Sequence, residues 1–293
     1  MTELDDMTLS YYAAPGPMTD LAGCPTGMFE GLPTEPRALA RTVQGLIVHE
    51  MWASAYGLEV PESRQTELQT RSAAAMTELV QRLHAAPLAI GRPVEQRMVG
   101  NCRHFSTLSC ALLRRAGIPA RARCGFADYF EPSRYVDHWV TEYWEDARHR
   151  WVRIDAQLDD LQRAAITPRF DTEDLPAGPF VPAGEAWQRC RGGDADPASF
   201  GIFDMWGLWF IRNNVVRDLA ALNKMELLPW DNWGPMTFMT EPDAAGLTLM
   251  DTIAGVLVGD DAEAIRRAYE SSDELRVPET VFDGRFGELH SLV

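Results

Sequence analysis

One predicted helix followed at once by three predicted strands constrains the fold of this chain more than any other feature. The run GNCRHFSTLSCALLRRAG, residues 100–117, has its apolar residues at helical spacing and ends in a glycine, a residue that commonly terminates helices. Aromatic and β-branched runs typical of strands follow it at residues 118–126, 138–145 and 150–157. A helix followed by strands that pair antiparallel indicates an α+β fold rather than a repeated β–α–β unit.

The last two strands predict a hairpin of defined register, because only the four residues DARH separate them. In that register Glu145 pairs with Arg150, and Val140 pairs with Asp155. His138 lies two residues before Val140, so it shares a face with Asp155 as its diagonal neighbour, about 7–8 Å away at the backbone. A two-residue loop would place the two side chains directly opposite each other. An odd-length loop or a bulge would separate them onto opposite faces.

The five cysteines differ in their position within the predicted elements. Cys102 stands at the amino end of the predicted helix, where backbone N–H groups and the helix dipole stabilise a thiolate. The other four are expected to be inert, and they are Cys24, Cys110, Cys124 and Cys190. An odd and sparse set of this kind in a long chain indicates free thiols in a reducing compartment rather than a disulfide framework.

A nucleophilic cysteine needs a base, and the base needs a partner that orients it. Cys102, His138 and Asp155 occur in that order along the chain and supply these three residue types. Each of them taken alone is more often a structural residue, but together they predict a catalytic triad. A zinc site made of Cys102, His104 and Cys124 is a competing interpretation. It lacks the paired ligand spacing of zinc sites, so we predict no metal.

Three blocks of sequence resemble the catalytic core of the bacterial transglutaminase-like superfamily, namely GNCRHFSTLSCALLRRAGIPARARCGF, DHWVTEYW and RWVRIDAQ. The resemblance covers about residues 95–160. It implies a papain-like α+β core in which the catalytic cysteine begins a helix packed on an antiparallel sheet. It also implies that Cys102 is the nucleophile, His138 the base and Asp155 the orienting acid. The superfamily includes peptidases, amidases, amide-forming enzymes and inactive members, so the resemblance names no substrate.

Two positions depart from the superfamily pattern and leave the pocket wall undefined. His104 stands where the family often has an acidic residue, and His138 is followed directly by Trp139 where the family often has His-Ala-Trp. Trp139 is a candidate substrate contact. Gln96, six residues before Cys102, is either the glutamine that papain-like relatives use to bind the oxyanion or a solvated loop residue. The backbone N–H of Cys102 is the alternative oxyanion donor.

The predicted reaction is attack of the Cys102 thiolate on an amide or thioester carbonyl of a small molecule or peptide. Water or an amine acceptor then completes hydrolysis or transfer. Arg123 is a candidate for binding a substrate carboxylate, or else a solvated side chain on a strand. Two alternatives stay open. One is acyl transfer from CoA of the arylamine N-acetyltransferase type, whose Arg-Gly-Gly stretch is absent here, and the other is a catalytically silent binding domain.

Outside this core the sequence predicts helical additions at both ends. Residues 1–35, which carry several prolines and glycines, predict an irregular lead-in. Periodic apolar residues predict helices over 36–56, 63–84, 184–191, 205–225 and 262–271. We expect residues 36–293 to form a single elaborated domain, whose C-terminal part, about residues 165–293, covers the core.

The charge balance narrows the range of partners. The formal net charge is −16, from 27 Lys and Arg residues against 43 Asp and Glu residues. Such a surface repels phosphate backbones and anionic lipids, so we expect neither a nucleic-acid nor a membrane partner. The first residues are acidic without the apolar stretch of a signal peptide, and no apolar run reaches transmembrane length. We therefore expect a soluble cytoplasmic protein, and the lack of nucleotide or flavin motifs predicts no organic cofactor.

Overall fold

A computed structural model describes residues 6–292 of the chain. Its α-helices are α1 (Asp6–Ala13), α2 (Pro36–Gln44), α3 (Ala73–Leu83), α4 (Cys102–Arg115), α5 (Asp160–Ile166), α6 (Ala183–Gly192), α7 (Leu208–Leu222), α8 (Ala244–Gly259) and α9 (Ala262–Glu270). Its strands are β1 (Ile47–His49), β2 (Met98–Gly100), β3 (Ala120–Ala127), β4 (Tyr135–Glu145), β5 (Arg150–Ile154), β6 (Phe180–Pro182), β7 (Phe200–Ile202), β8 (Met205–Trp206), β9 (Asp231–Asn232), β10 (Thr280–Asp283) and β11 (Glu288–Ser291). The mixture of helices with a largely antiparallel sheet is the predicted α+β class.

The chain divides into two compact units. The first unit contains Met1–Ala122 and Val140–Leu175, and the second contains Arg123–Trp139 and Pro176–Val293. Strands β3 and β4 therefore each contribute residues to both units. The single elaborated domain expected over residues 36–293 stays a prediction.

Helix α4 is the centre of the first unit. Every residue from Cys102 to Arg114 is buried, polar side chains included. Helices α1, α2 and α3 and strands β1 and β2 all contact it. An isolated surface helix would bury only one stripe, so α4 is an internal support rather than an outer layer of the unit.

Strand β2 leads into the amino end of α4 and packs closely against its neighbours. Strand β2 pairs in parallel with β1, with Met98 opposite Ile47. Gly100 ends β2, and a Cβ atom there would lie 2.8 Å from Cγ2 of Ile47 and 3.1 Å from Cβ of His104. Real Cβ atoms do not come this close to other carbons, so the lack of a side chain at this position lets β2 lead directly into α4.

Strands β4 and β5 form an antiparallel hairpin in the first unit. The pairs run from Glu145 opposite Arg150 to Thr141 opposite Ile154. The four loop residues form a short 3-10 turn and end at His149, which has a φ of 49°. The hairpin register predicted from the loop length is confirmed over these pairs.

A buried carboxylate ties three strands of the first unit together. Glu142 on β4 accepts hydrogen bonds from Nε of Arg121 on β3 at 2.8 Å and from the guanidinium of Arg153 on β5 at 2.7 Å. The Arg121 and Glu142 side chains are both almost fully buried. A buried carboxylate with one cation on each side is neutralised and hydrogen-bonded, which is the condition for burying such a charge.

A six-stranded sheet has the strand order β6-β3-β4-β7-β8, and β5 pairs with β4 outside this order. Strand β3 pairs antiparallel with β6, whereas β4 pairs in parallel with β7, with Tyr135 opposite Phe200. Gly125 makes the first pairing possible, because a Cβ atom there would lie 2.3 Å from the Val181 carbonyl oxygen. Strands β9, β10 and β11 form a separate three-stranded sheet.

Helix α7 occupies the corresponding central position among the helices of the second unit. It contacts α6, α8 and α9, and every residue from Trp209 to Leu222 is buried. Five of those buried residues are polar or charged, namely Arg212, Asn213, Asn214, Arg217 and Asp218. Buried polar groups need hydrogen-bond partners, so these five side chains are expected to bind groups on neighbouring elements.

The predicted helix over residues 36–56 is wrong beyond Gln44. Glu35 starts α2 as expected of a cap, since its carboxylate accepts hydrogen bonds from the backbone N–H groups of Arg37 and Ala38. After Gly45 the chain pairs with β2 as strand β1 instead of continuing the helix. The apolar run Leu46–Val48 fits both patterns, and the tertiary pairing decides between them.

Other boundaries differ for local reasons. The expected helix over 63–84 divides into a 3-10 segment, Glu62–Gln69, and α3, which Ser72 caps. The lead-in contains α1, and its residues 1–5 lie outside the described part of the chain. Helix α8 was not predicted, because its apolar residues surround the helix without a clear stripe. Within residues 6–292, no helix combines the length and the apolar character needed to cross a bilayer.

Candidate active site

Cys102 is the first residue of α4, and its surroundings are fixed by the turn that starts the helix. Asn101 precedes it in an extended conformation and serves as the N-cap. The backbone N–H of Asn101 donates to Nδ1 of His104 at 3.1 Å, which is one half of a capping box. Cys102 is only 7% exposed. The cap therefore holds a nearly buried thiol at the positive end of the helix dipole.

His104 takes the position where the superfamily often has an acidic residue, and it carries no charge. Burial lowers the pKa of His104 well below 6.5, and the nearby positive charge of Arg103 lowers the pKa further. Nδ1 of His104 lies 3.1 Å from the backbone nitrogen of Asn101 and 2.8 Å from the Asn101 side-chain oxygen. The amino end of α4 is thus capped by a neutral imidazole instead of a carboxylate.

Helix α4 is fastened to β4 one turn after Cys102. The hydroxyl of Ser106 donates to the Val140 carbonyl at 2.7 Å, and the Thr141 hydroxyl lies 3.2 Å from the Ser106 hydroxyl. Residues four apart lie on the same helical face, so Cys102 is on the face of α4 that meets β4.

The direction of α4 along β4 follows from its other end. The chain leaving α4 passes through Pro119, whose carbonyl accepts the Trp144 backbone N–H at 2.9 Å. Ser106 lies at Val140 and the carboxyl end of the helix lies near Trp144, so α4 and β4 run in the same direction. Cys102 therefore lies at the end of α4 that is farther from Trp144.

Asp155 directly follows β5 and is held by its backbone and one carboxylate oxygen. Its backbone N–H donates to the Thr172 carbonyl at 2.9 Å, and its Oδ1 accepts the Gln157 backbone N–H at 3.0 Å. The residue is buried. The last pair of the hairpin is Thr141 opposite Ile154. Asp155 is the residue after Ile154, and Val140 is the residue before Thr141.

His138 lies on the part of β4 that belongs to the second unit, in an aromatic environment. Its ring meets Phe130, Tyr129 and Phe180 edge to face, with centroid distances of 4.9, 5.9 and 6.4 Å. It is 1% exposed. These rings exclude water from the imidazole and restrict its rotation.

The remaining predicted site residues have other partners or another orientation. The Arg123 guanidinium is paired with the Asp218 carboxylate at 2.9 Å, and the carbonyl oxygen of the Gln96 side chain contacts Nδ1 of His84. Strand alternation places Trp139 on the face opposite to His138. Their predicted roles toward an oxyanion or a substrate stay predictions.

Sequence reasoning missed the polar residues that hold these elements in place. The cap of Asn101 by His104 has the spacing of a capping box, but histidine is not the glutamate or glutamine that usually marks it. The run RNNVVRD in α7 interrupts an apolar helix with charged and amide residues, which is a signal of buried hydrogen bonding. The α7 pattern does not indicate its partners, Asp137 and Arg123, which lie far away in sequence.

A known protein family has a sequence profile that matches the part of the chain containing these elements. Residues 89–156 match the sequence profile of the transglutaminase-like superfamily, and this segment includes α4, β3, β4 and β5. This segment is similar to the transglutaminase-like superfamily, which confirms the resemblance seen in the sequence.

Two solved structures resemble parts of the chain. An inferred cysteine protease from Cytophaga hutchinsonii is 16% identical with a TM-score of 0.36, and the match covers 61% of this chain and 47% of that one. Red sea bream transglutaminase is 15% identical with a TM-score of 0.30, and the match covers 51% of this chain and 24% of that one. The chain therefore spans less than half the length of either protein. No curated protein matches its sequence.

Proposed function

We propose that this protein is a cysteine-dependent acyl-transfer enzyme with Cys102 as nucleophile, His138 as base and Asp155 as orienting acid. Its substrate is an amide or thioester of a small molecule or peptide. The enzyme acts as an amidase or peptidase, or as an amide-forming transferase with an amine acceptor. All five cysteines are thiols rather than disulfides, which supports a reducing, cytoplasmic location.

The observation that carries this proposal is the register of β4 and β5. The pairing runs to Thr141 opposite Ile154. One further step of the same register would set Val140 opposite Asp155, and His138, two residues before Val140 on the same strand, would then share a face with Asp155 as the sequence predicts. Ser106 donates to the Val140 carbonyl, and Cys102 lies one helical turn before Ser106 on the same face of α4.

The proposed reaction transfers one acyl group through a thioester. His138 accepts the thiol proton as Sγ of Cys102 forms a bond to the carbonyl carbon, and the imidazolium then gives that proton to the departing amine or thiol. Asp155 accepts a hydrogen bond from the other ring nitrogen and stabilises the imidazolium. In the second half, His138 removes a proton from water or an amine, which attacks the thioester and releases Cys102.

Stabilisation of the oxyanion is assigned to the amino end of α4. The backbone N–H of Cys102 lies at the positive end of the helix dipole and is the proposed donor. Because Asn101 and His104 fix this turn, the donor is oriented before substrate binds. Donors of this kind typically contribute about 3 kcal/mol to lowering the barrier.

Selective alkylation tests the nucleophile. Iodoacetamide at neutral pH is expected to modify Cys102 first, because only a stabilised thiolate reacts quickly under these conditions. Cys102→Ala is expected to abolish the rapid phase. Cys110→Ala is the matched control, since Cys110 is fully buried on the same helix and should leave the rapid phase unchanged.

Acylation tests the chemistry itself. Incubation with p-nitrophenyl acetate is expected to release p-nitrophenol and to add an acetyl group to Cys102, detected by intact mass and peptide mapping. His138→Ala is expected to prevent rapid acylation. Equal labelling of wild type and Cys102→Ala, with Cys102 unmodified in the peptide map, would contradict the assignment. Rapid alkylation without any acylation would support the alternative of a silent binding domain.

A further inference from the structure

Asp137, the residue immediately before His138, makes a buried hydrogen bond that the proposed chemistry does not use. Nδ2 of Asn214 on α7 donates to Oδ1 of Asp137 at 2.7 Å. Asn214 is 1% exposed and Asp137 is 8% exposed. Strand alternation directs the two neighbouring side chains of β4 to opposite faces, so Asp137 meets α7 while His138 faces away from it.

Arg217 determines which way the Asn214 amide points. Its guanidinium donates to the side-chain oxygen of Asn214 at 3.1 Å, and also to Oδ1 of Asn232 at 3.0 Å. An amide whose oxygen accepts from a cation must present its NH₂ group elsewhere, here to Asp137. Arg217 thus donates on one side to Asn232 of β9 and on the other to Asn214, which in turn donates to Asp137 of β4.

This arrangement costs free energy that an apolar contact would not. Burial lowers the pKa of Arg217 and raises the pKa of Asp137, and the Asn214 hydrogen bond and the Arg217 charge only partly counter the effect on Asp137. Apolar residues of similar size would pack here without that cost. Buried polar contacts define one geometry where apolar contacts allow several, which is a property that a catalytic base requires.

Helix α7 is also well suited to hold β4 because it is anchored independently. Asp218 accepts hydrogen bonds from the Arg123 guanidinium at 2.9 Å and from the Cys124 backbone N–H at 2.8 Å. Asn214 and Asp218 are four residues apart and share a helical face. The helix that contacts Asp137 is therefore fixed to strand β3 by a buried ion pair.

We propose that Asp137, Asn214 and Arg217 are positioning residues that set the orientation of the His138 imidazole through the backbone of β4. The inference rests on the proposed function, in which His138 is the base. None of the three touches the reacting atoms. Their effect reaches the chemistry through the strand, since a peptide unit held on one side of His138 limits the directions in which its side chain can point.

The test compares Asn214→Ala with Asn213→Ala. Both residues are buried on α7, and each donates one tertiary hydrogen bond, but that of Asn213 goes to the Thr237 carbonyl at 2.9 Å. The measurement is the rate of Cys102 alkylation by iodoacetamide between pH 5 and pH 9. A well-placed imidazolium lowers the apparent pKa of the thiol, so wild type is expected to react at the acidic end of this range.

Asn214→Ala is expected to raise the apparent pKa of Cys102 by about one unit, which slows alkylation by up to about tenfold at pH values below the wild-type apparent pKa and leaves the rate at pH 9 unchanged. Asn213→Ala is expected to reproduce the wild-type profile. Asp137→Asn, which keeps an oxygen that can accept from Asn214, is expected to restore most of the acidic reactivity that Asp137→Ala loses. A purely structural role would lower the melting temperature without moving the pH profile.

Two failures are distinguishable. A wild-type protein with no reactivity at acidic pH would refute the proposed function, because no imidazolium would then assist Cys102. A reactive wild type whose profile coincides with that of a folded Asn214→Ala would refute the positioning role alone. If Asn214→Ala does not fold, as judged by circular dichroism, Asp137→Ala removes the same hydrogen bond from the strand side and decides the question.

Discussion

Replacing Ser106 by alanine tests the contact that fixes α4, the helix of the proposed nucleophile, to β4. The Ser106 hydroxyl is 1% exposed, donates to the Val140 carbonyl at 2.7 Å and lies 3.2 Å from the Thr141 hydroxyl. The Thr141 hydroxyl also lies 3.3 Å from the Ser106 carbonyl, so it keeps a partner when the serine hydroxyl is removed. Only the Val140 carbonyl loses its side-chain donor.

The expected loss in the free energy of unfolding follows from the hydrogen bonds that the substitution removes. One buried hydrogen bond is removed and one buried acceptor is left without that donor, so Ser106→Ala should lower the free energy of unfolding by about 1–2 kcal/mol. Urea denaturation followed by tryptophan fluorescence measures this change as a shift in midpoint at constant slope. A changed slope would instead report an altered denatured state.

The same helix supplies a matched control. Ser109 is also 1% exposed, but within the described part of the chain its hydroxyl has no hydrogen-bond partner. Ser109→Ala should therefore be neutral or stabilise the protein by up to about 1 kcal/mol, because it removes an unsatisfied buried hydroxyl. If the two variants change stability equally, within about 0.5 kcal/mol, the Ser106 contact does not fasten α4 to β4, and the reasoning is refuted.

Two further predictions concern titration. The pKa of His104 lies well below 6.5 in the folded state, so the unfolded chain binds a proton that the folded chain does not, and stability falls as pH drops below 6.5. Between pH 7.5 and pH 5.5 this single group should cost about 1.4 kcal/mol, measured as a loss of urea midpoint that His104→Gln reduces. Burial raises the pKa of the Cys190 thiol to about 12. Peptide mapping after iodoacetamide treatment at pH 8 should therefore find Cys190 unmodified, and rapid labelling there would contradict the assigned environment.

The β4–β5 hairpin and helix α4 could be predicted from the sequence because local rules determine both. A four-residue loop between two strands fixes the pairing of Glu145 with Arg150, and every later pair follows from it. The start of α4 at Cys102 follows from the apolar spacing after it and the asparagine before it. The α+β class and the candidate triad were predicted from these local features.

The parts that could not be predicted depend on partners distant in sequence. Leu46 and the residues after it fit a helix until pairing with β2, about fifty residues later, makes them a strand. Asn214 and Asp137 are 77 residues apart, and Asp218 and Arg123 are 95 apart. A single sequence shows that such polar residues occur within an apolar helix, but it does not show which groups they bind.

The burial of α4 from Cys102 to Arg114 has a consequence for how the protein would lose thiol reactivity. Backbone amides exchange their hydrogens slowest where opening requires global unfolding, and a helix surrounded on all sides by its own unit meets that condition. Cys102, the proposed nucleophile, therefore belongs to the segment whose backbone hydrogens should exchange last. Fraying of the outer helices would leave Cys102 in place, so thiol reactivity should persist through partial opening and vanish together with the last protected amides.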